Sequence, residues 1–317
     1  MLNNKAKIAV SGSLAYDYIM NFPGFFAQHI LPDEIHNLNL SFVAGSLRRS
    51  FGGTAGNIAY NLSLLGEKPL IFGVAGFDFP EYHSWLKKKN INLESVFISS
   101  KDRTSSAYII TDQADNQITA FYPGPLPKNY VGSKLLKSPI KLAIISPDNK
   151  DRMLALVALY KKNKIPYIFD PGQALIAFTP TELNKAISAS KAIFGNDYEM
   201  KILTDRLGIS LEELAKKIEI IVVTKGAKGS EIYNNNQKIV INPAKPKNTS
   251  DPTGAGDAYR AGFIKGLISG LNLKDCARLA STVSVYTVEK LGTQTHSFTL
   301  KEIQARYFKN YKEKLTI

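Results

Sequence analysis

The chain has 317 residues, 44% hydrophobic and 21% charged, with a formal net charge of +13. That is globular composition, long enough to bury a sizeable core and suited to one large α/β domain with a small excursion, expected here over 1–317. The lone Cys276 excludes an intrachain disulfide framework or a cysteine-built zinc site, and without a membrane-length apolar run or a signal-like start the expected compartment is the cytoplasm, with no membrane partner. In chain order, 7–14 reads as a buried strand ending in Gly12-Ser13, 55–65 as a helix stopped by Gly66, and 69–75 as a strand. A helix is expected over 82–89, then a hairpin of 105–111 with 117–122, rich in β-branched and aromatic residues. Strands and helices then alternate: strand 142–146, helix 153–162, strand 167–170, helix 181–190, strand 192–195, helices 198–207 and 211–217, strand 220–224. A second hairpin, 231–233 with 238–241, precedes three closing helices at 255–269, 273–290 and 300–308. Such alternation implies a mostly parallel sheet with helices on both faces.

Segments of about 15–50 and 104–125 break that rhythm. Both are extended and polar-rich, and residues 38–43 alternate with period two. Together they are expected to form a small sheet standing off the main one as a lid over a cleft. The lysines come in short groups, 87–89, 161–162 and 216–217, at the polar faces or ends of expected helices. Solvated lysines are the ordinary reading, and no nucleic-acid-binding signature accompanies them, so no nucleic-acid partner is expected. The positive field would still concentrate an anionic substrate.

The most informative stretch is DPTGAGD at 251–257, running into an apolar-periodic segment. Three small residues, Gly254, Ala255 and Gly256, occupy the first helical turn, where backbone N–H groups lack helical partners and the dipole is positive. An anion can approach there unhindered. Asp257 sets a carboxylate beside that site, which helps a group that must take a proton from a hydroxyl attacking phosphorus. An ordinary loop with a capping aspartate explains the same letters, and other segments decide between the two.

Those segments are FGGTAGNIA at 51–59, Asn196 with Glu199 three residues on, and TKGAKG at 224–229. With 251–263 they resemble, in order, the signatures of the ribokinase (PfkB-type) family of carbohydrate and nucleoside kinases, over about residues 8–298. His29 to Asp33, Ser41-Phe42, 48–53 and 292–296 are most similar to bacterial adenosine-kinase-like nucleoside kinases. The resemblance implies a three-layer α/β/α sandwich with a β-sheet lid. It also implies transfer of the γ-phosphate of ATP, carried with Mg²⁺, to a 5′-hydroxyl of a ribonucleoside. A sugar kinase for ribose or fructose is the alternative, and a catalytically silent binding module is the alternative of another class.

By resemblance Asp257 is the base, and the amides of Gly254, Ala255 and Gly256 steady the phosphoryl group. Asp17 binds a vicinal diol, Gly52 and Gly53 let backbone approach the sugar, and Asn57 offers an amide to a ring hydroxyl. Asn196 touches phosphate and Glu199 orders magnesium-bound water, although the pair equally forms a capping box. Thr224, Gly226 and Gly229 contact nucleotide, unless the glycines serve only a hairpin turn. Asp251 and Thr253 match positions that in many relatives hold a monovalent cation such as K⁺; Pro252 departs from the usual residue and leaves that cation open. Asn39 and Phe42 are expected to reach a nucleobase from the lid, and a lid edge strand offers a route to a homodimer. His29, His36, His83 and His296 lack zinc-ligand spacing and are expected on the surface or the lid, His296 being at most a late contributor near the nucleotide. P-loop and dinucleotide-binding signatures are absent.

Overall fold

The computed structural model describes residues 7–30, 39–114, 116–126, 139–235 and 237–317. In chain order the strands are β1 (Lys7–Ser11), β2 (Ala15–Asn21), β3 (Ser46–Gly52), β4 (Leu70–Ala75), β5 (Asn92–Ile98), β6 (Ser105–Thr111), β7 (Gln117–Tyr122), β8 (Ile140–Ile145), β9 (Tyr167–Phe169), β10 (Ala192–Asn196), β11 (Ile220–Thr224), β12 (Ser230–Asn234) and β13 (Gln237–Ile241). The helices are α1 (Thr54–Leu64), α2 (Pro80–Lys88), α3 (Lys150–Lys162), α4 (Pro180–Ile187), α5 (Asp197–Leu207), α6 (Leu211–Ala215), α7 (Ala255–Ile268), α8 (Leu273–Val288) and α9 (Leu300–Tyr311).

Successive residues of a strand face opposite ways, and in the central strands both faces are apolar. Ile8, Val10, Ile144, Phe194 and Val222 join one core with residues of α1, α2, α7 and α8. Their neighbours Ala9, Ile145, Ile193 and Ile221 join a second core with residues of α3, α4, α5 and α6. Fully burying each of the Val, Ile and Phe side chains among them contributes about 1.5–3 kcal/mol. The product is the expected three-layer α/β/α sandwich, with α9 packed outside through Ile303 and Tyr307.

The main sheet runs β13-β12-β11-β10-β9-β8-β1-β4-β5. Its pairs are parallel from β5 across to β11, and β12 and β13 add an antiparallel hairpin at one edge. A second, separate sheet, β3-β2-β6-β7, takes its strands from the segments at about 15–50 and 104–125. Strands β2, β3 and β5 were not foreseen one by one. The period-two run at 38–43 is not a strand: residues 39–45 make no ladder, and pairing begins at Ser46 opposite Asn21. Phe42 is held by ring contacts with Phe22, Phe26 and His29 instead. The rest of that run, with Leu31 to Asp33 and His36, lies outside the described residues. Among the described residues no helix is long and apolar enough to cross a membrane.

Candidate active site

Strand order reverses beside β1, whose neighbours are β4 on one side and β8 on the other. At such a reversal the connecting chains leave in opposite directions and open a crevice beyond the carboxyl ends of the strands. A cleft of about 960 Å³ lies there, lined by Ser13 after β1, Pro147 after β8, Asp170 after β9, Asn196 of β10 and the first turn of α7. Ser105, Phe121, Pro123 and Leu126 close it from the lid side.

Asp17 enters the cleft from β2, where the small sheet leaves the main one. Its carboxylate makes no hydrogen bond to another described residue. Burial, then the charges of Asp257 and Asp251, push its pKa up to about 7 against a lowering by Arg48. Gly52 is dictated by this side chain, since a Cβ there would lie 2.2 Å from Asp17 Oδ2. Gly53 has φ +85° and passes so close to Ser13 that a Cβ would meet its carbonyl oxygen at 2.5 Å. Asn57 is turned to Asp257 rather than left free: its Nδ2 donates to Asp257 Oδ2 at 2.9 Å. Gln294 Nε2 in turn donates to Asn57 Oδ1 at 3.0 Å and to Tyr82 Oη at 2.6 Å. Tyr82 Oη donates to the Gly52 carbonyl, 2.8 Å away, and Trp85 Nε1 donates to Gln294 Oε1. One chain of hydrogen bonds thus ties Gly52, the first glycine of FGG, to Asp257.

Helix α7 opens at Gly254, whose φ of +78° sets the turn. The Ala255 N–H already donates to the Pro252 carbonyl at 3.1 Å. Of the three amides expected to face an anion, those of Gly254 and Gly256 are therefore the available ones, and Asp257 adds its own. Enclosure raises the Asp257 pKa to about 6, opposed by Arg260 and the Asn57 hydrogen bond and aided by Asp170 and Glu199. A carboxylate so poised sits near the pH at which a general base works.

Asn196 and Glu199 form the reciprocal capping box of α5: Asn196 Oδ1 accepts the Glu199 N–H at 2.7 Å, and Glu199 Oε2 accepts the Asn196 N–H at 2.8 Å. Both still line the cleft, and burial raises the Glu199 pKa. The capping box engages Glu199 through Oε2, and no hydrogen bond between described residues engages Oε1. Among the described residues no group of three or more acidic, His or Cys side chains could hold a metal. Thr224 lies directly opposite Asn196 in the β10–β11 ladder, extending the same edge. Gly226 has φ +54° with open space where a Cβ would project, whereas a Cβ at Gly229 would strike the Ile241 carbonyl oxygen at 2.1 Å. The hairpin alone therefore demands Gly229. Asp251 accepts the N–H groups of Thr253 and Gly292, both at 2.9 Å, and these bonds shape the loop before α7.

Asn39 is exposed and Phe42 packs in the aromatic cluster; neither lines the cleft. Among the described residues the aromatic ring that does is Phe121. His296, expected at the surface, is buried between Tyr60 and Phe298, and burial lowers its pKa to about 4. Sequence reasoning also missed Gln294, Tyr82, Asp170 and Arg260. For the last two a signal existed: a charge ending an apolar strand, and an arginine inside the buried run 258–264.

A three-layer sandwich with a sheet lid, a crevice at the strand reversal and a glycine-opened helix facing carboxylates defines a ribokinase-like phosphotransferase. Residues 5–300 match the model of the pfkB family of carbohydrate kinases. The chain is 32% identical to a nucleoside kinase of Methanocaldococcus jannaschii, over 96% of this chain and 97% of that one. A Burkholderia thailandensis nucleoside kinase solved in complex with inosine superposes with a TM-score of 0.89 at 35% identity, covering 97% of this chain and 99% of that one. The same enzyme in complex with ADP-inosine gives 0.83 at 35% identity, covering 97% of each. The protein belongs to the pfkB family of carbohydrate kinases.

Proposed function

We propose that the chain is an ATP-dependent nucleoside kinase that phosphorylates the 5′-hydroxyl of a ribonucleoside, adenosine or a broader set. One observation carries this reading: Asp17 and Asp257 share a single cleft, one free to take a diol and the other poised beside uncommitted amides of α7. Asp17 accepts hydrogen bonds from the two ring hydroxyls and so aims the 5′-carbon at Asp257. Asp257, oriented by Asn57, takes the hydroxyl proton as the new O–P bond forms and the bond to the ADP oxygen breaks. The Gly254 and Gly256 amides stabilise charge on the phosphoryl oxygens. Mg²⁺ bound with the phosphates would spread their negative charge, and Glu199 would hold it through water. Thr224 and Gly226 continue the nucleotide side along the sheet edge.

The lining favours a nucleoside over a free sugar. The cleft holds ATP as well as the acceptor, so its lining rather than its volume is the guide: Val74, Phe121 and Leu126 add apolar surface suited to a base. The M. jannaschii and B. thailandensis nucleoside kinases point the same way. Lid closure over substrate would exclude water and suppress wasteful ATP hydrolysis. Strand β7 is exposed along its length at the end of the lid sheet, and a homodimer would pair there; a monomer by sedimentation at micromolar concentration would remove that part. Asp251 and Thr253 would serve K⁺ as well only if replacing K⁺ by Na⁺ lowers the rate.

The test is a panel of acceptors with ATP and Mg²⁺: adenosine, inosine, cytidine, ribose and fructose. Conversion of nucleosides to 5′-monophosphates supports the proposal, turnover of free sugars alone refutes its nucleoside part, and no turnover of any refutes catalysis.

A further inference from the structure

Arg260 lies in an otherwise apolar stretch of α7, with Ala258, Ala261 and Phe263 buried about it, and is itself 9% exposed. Its Nε and Nη2 donate to the two carboxylate oxygens of Asp170, the Nη2 bond at 2.8 Å. Asp170 follows β9 directly and is 1% exposed. A two-pronged bond of this kind fixes the plane of a guanidinium as well as its position.

A merely structural tie would sit in the packed interior, yet both partners line the cleft with Gly256, Asp257 and Glu199. Nη1 has no hydrogen bond to another described residue and points back toward the first turn of α7. A Cβ at Gly256 would meet it at 2.8 Å, so this glycine does more than bare its own amide: it lets a full cation stand beside the amides. The ring of Phe194, 5.9 Å from Arg260 Cζ, lies against the guanidinium. The charges of Asp170, Asp257 and Glu199 keep it protonated despite its burial.

We propose that Arg260 contacts the transferring phosphoryl group through Nη1, held in place by Asp170, so that the anion site at α7 combines partial backbone charges with one fixed side-chain cation. The proposal rests on reading the cleft as a phosphoryl-transfer site. As the group passes between donor and acceptor its charge is spread over three equatorial oxygens, and a cation fixed in advance at that position stabilises it without reorganising.

The experiment compares Arg260→Gln and Arg260→Lys with the wild-type chain. For Arg260→Gln we expect kcat to fall on the order of 100- to 1,000-fold while the KM for the nucleoside stays within about threefold. Arg260→Lys should recover only part of this, because an ammonium cannot keep the two-pronged bond to Asp170. Calorimetry with ADP and adenosine, with and without aluminium fluoride as a mimic of the phosphoryl group, supplies a second readout. The wild type should bind ADP more tightly with the fluoride and Arg260→Gln should lose that gain, ADP alone binding equally to both. If Arg260 only ties α7 to β9, melting temperature falls but kcat per folded molecule and the fluoride gain stay at wild-type levels, which overturns the proposal. Should Arg260→Gln fail to fold, Arg260→Lys decides by the same two readouts. A wild type that phosphorylates no acceptor defeats the functional reading and this inference with it; an active wild type matched by an equally active Arg260→Gln defeats this inference alone.

Discussion

The floor of the cleft and its lid are built on opposite principles. The floor is the carboxyl edge of a parallel sheet whose strands are apolar on both faces, and its polar side chains are locked to one another: Asn57 to Asp257, Gln294 to Asn57, Arg260 to Asp170. The lid is a four-stranded sheet whose outer strand β7 is exposed at every residue, joined by backbone ladders and by ring contacts such as Tyr18 stacked on Tyr108 at 5.0 Å. Reacting groups need placement to a fraction of an ångström, which the densely packed floor provides. Recognition of a varied base tolerates a looser wall.

If that division of labour is right, substitutions should sort by region. The largest effect is expected on the floor: Asp257→Asn lowers kcat on the order of a thousandfold or more, with ATP affinity by calorimetry nearly intact. At the joint between the two regions, Asp17→Asn should lower kcat/KM about a hundredfold, mostly through KM for acceptors bearing a vicinal diol, as initial rates at varied acceptor concentration would show. On the lid, Phe121→Ala should raise KM for nucleosides about tenfold while any residual ribose turnover is unchanged. Equal loss with ribose would place Phe121 with the floor and break the comparison.

Two smaller effects follow from the carboxylates. In the free protein Asp257 and Asp17 have pKa values of about 6 and 7, so log kcat/KM should rise with pH and level off above about 7. A folded pKa above the ordinary 3.8 means the folded state holds the proton more tightly than the unfolded chain does. Ionising Asp257 therefore costs stability as pH rises from about 4 to about 6, and the cost is fully present above that. Asp257→Asn should accordingly raise Tm by a few degrees at pH 8 and little at pH 4, by calorimetric melting. A Tm lowered at pH 8 would show instead that the carboxylate holds the floor together.

What could be read in the sequence follows the range of the interactions. DPTGAGD and the Asn196–Glu199 pair are local: a glycine-opened helix and a capping box form between residues three or four apart, so the letters nearly specify the geometry. The alternating units were legible for the same reason, since period and punctuation are local properties. Gln294 reaches Asn57 across 237 positions and Arg260 reaches Asp170 across 90, and no spacing rule joins them. Strand β2 escaped notice because Asp17, needed in the cleft, interrupts its apolar pattern. Alternation misled at 38–43 because a lid loop can pack its rings, as Phe42 does, without entering a ladder.

The central claim is tested most directly by a crystal structure of the chain with adenosine and ADP bound. The account predicts the 5′-oxygen within hydrogen-bond reach of an Asp257 carboxylate oxygen, roughly 2.6–3.2 Å, and the ring diol on Asp17. A 5′-oxygen well beyond that reach, with Asp257 turned from the acceptor, would contradict it.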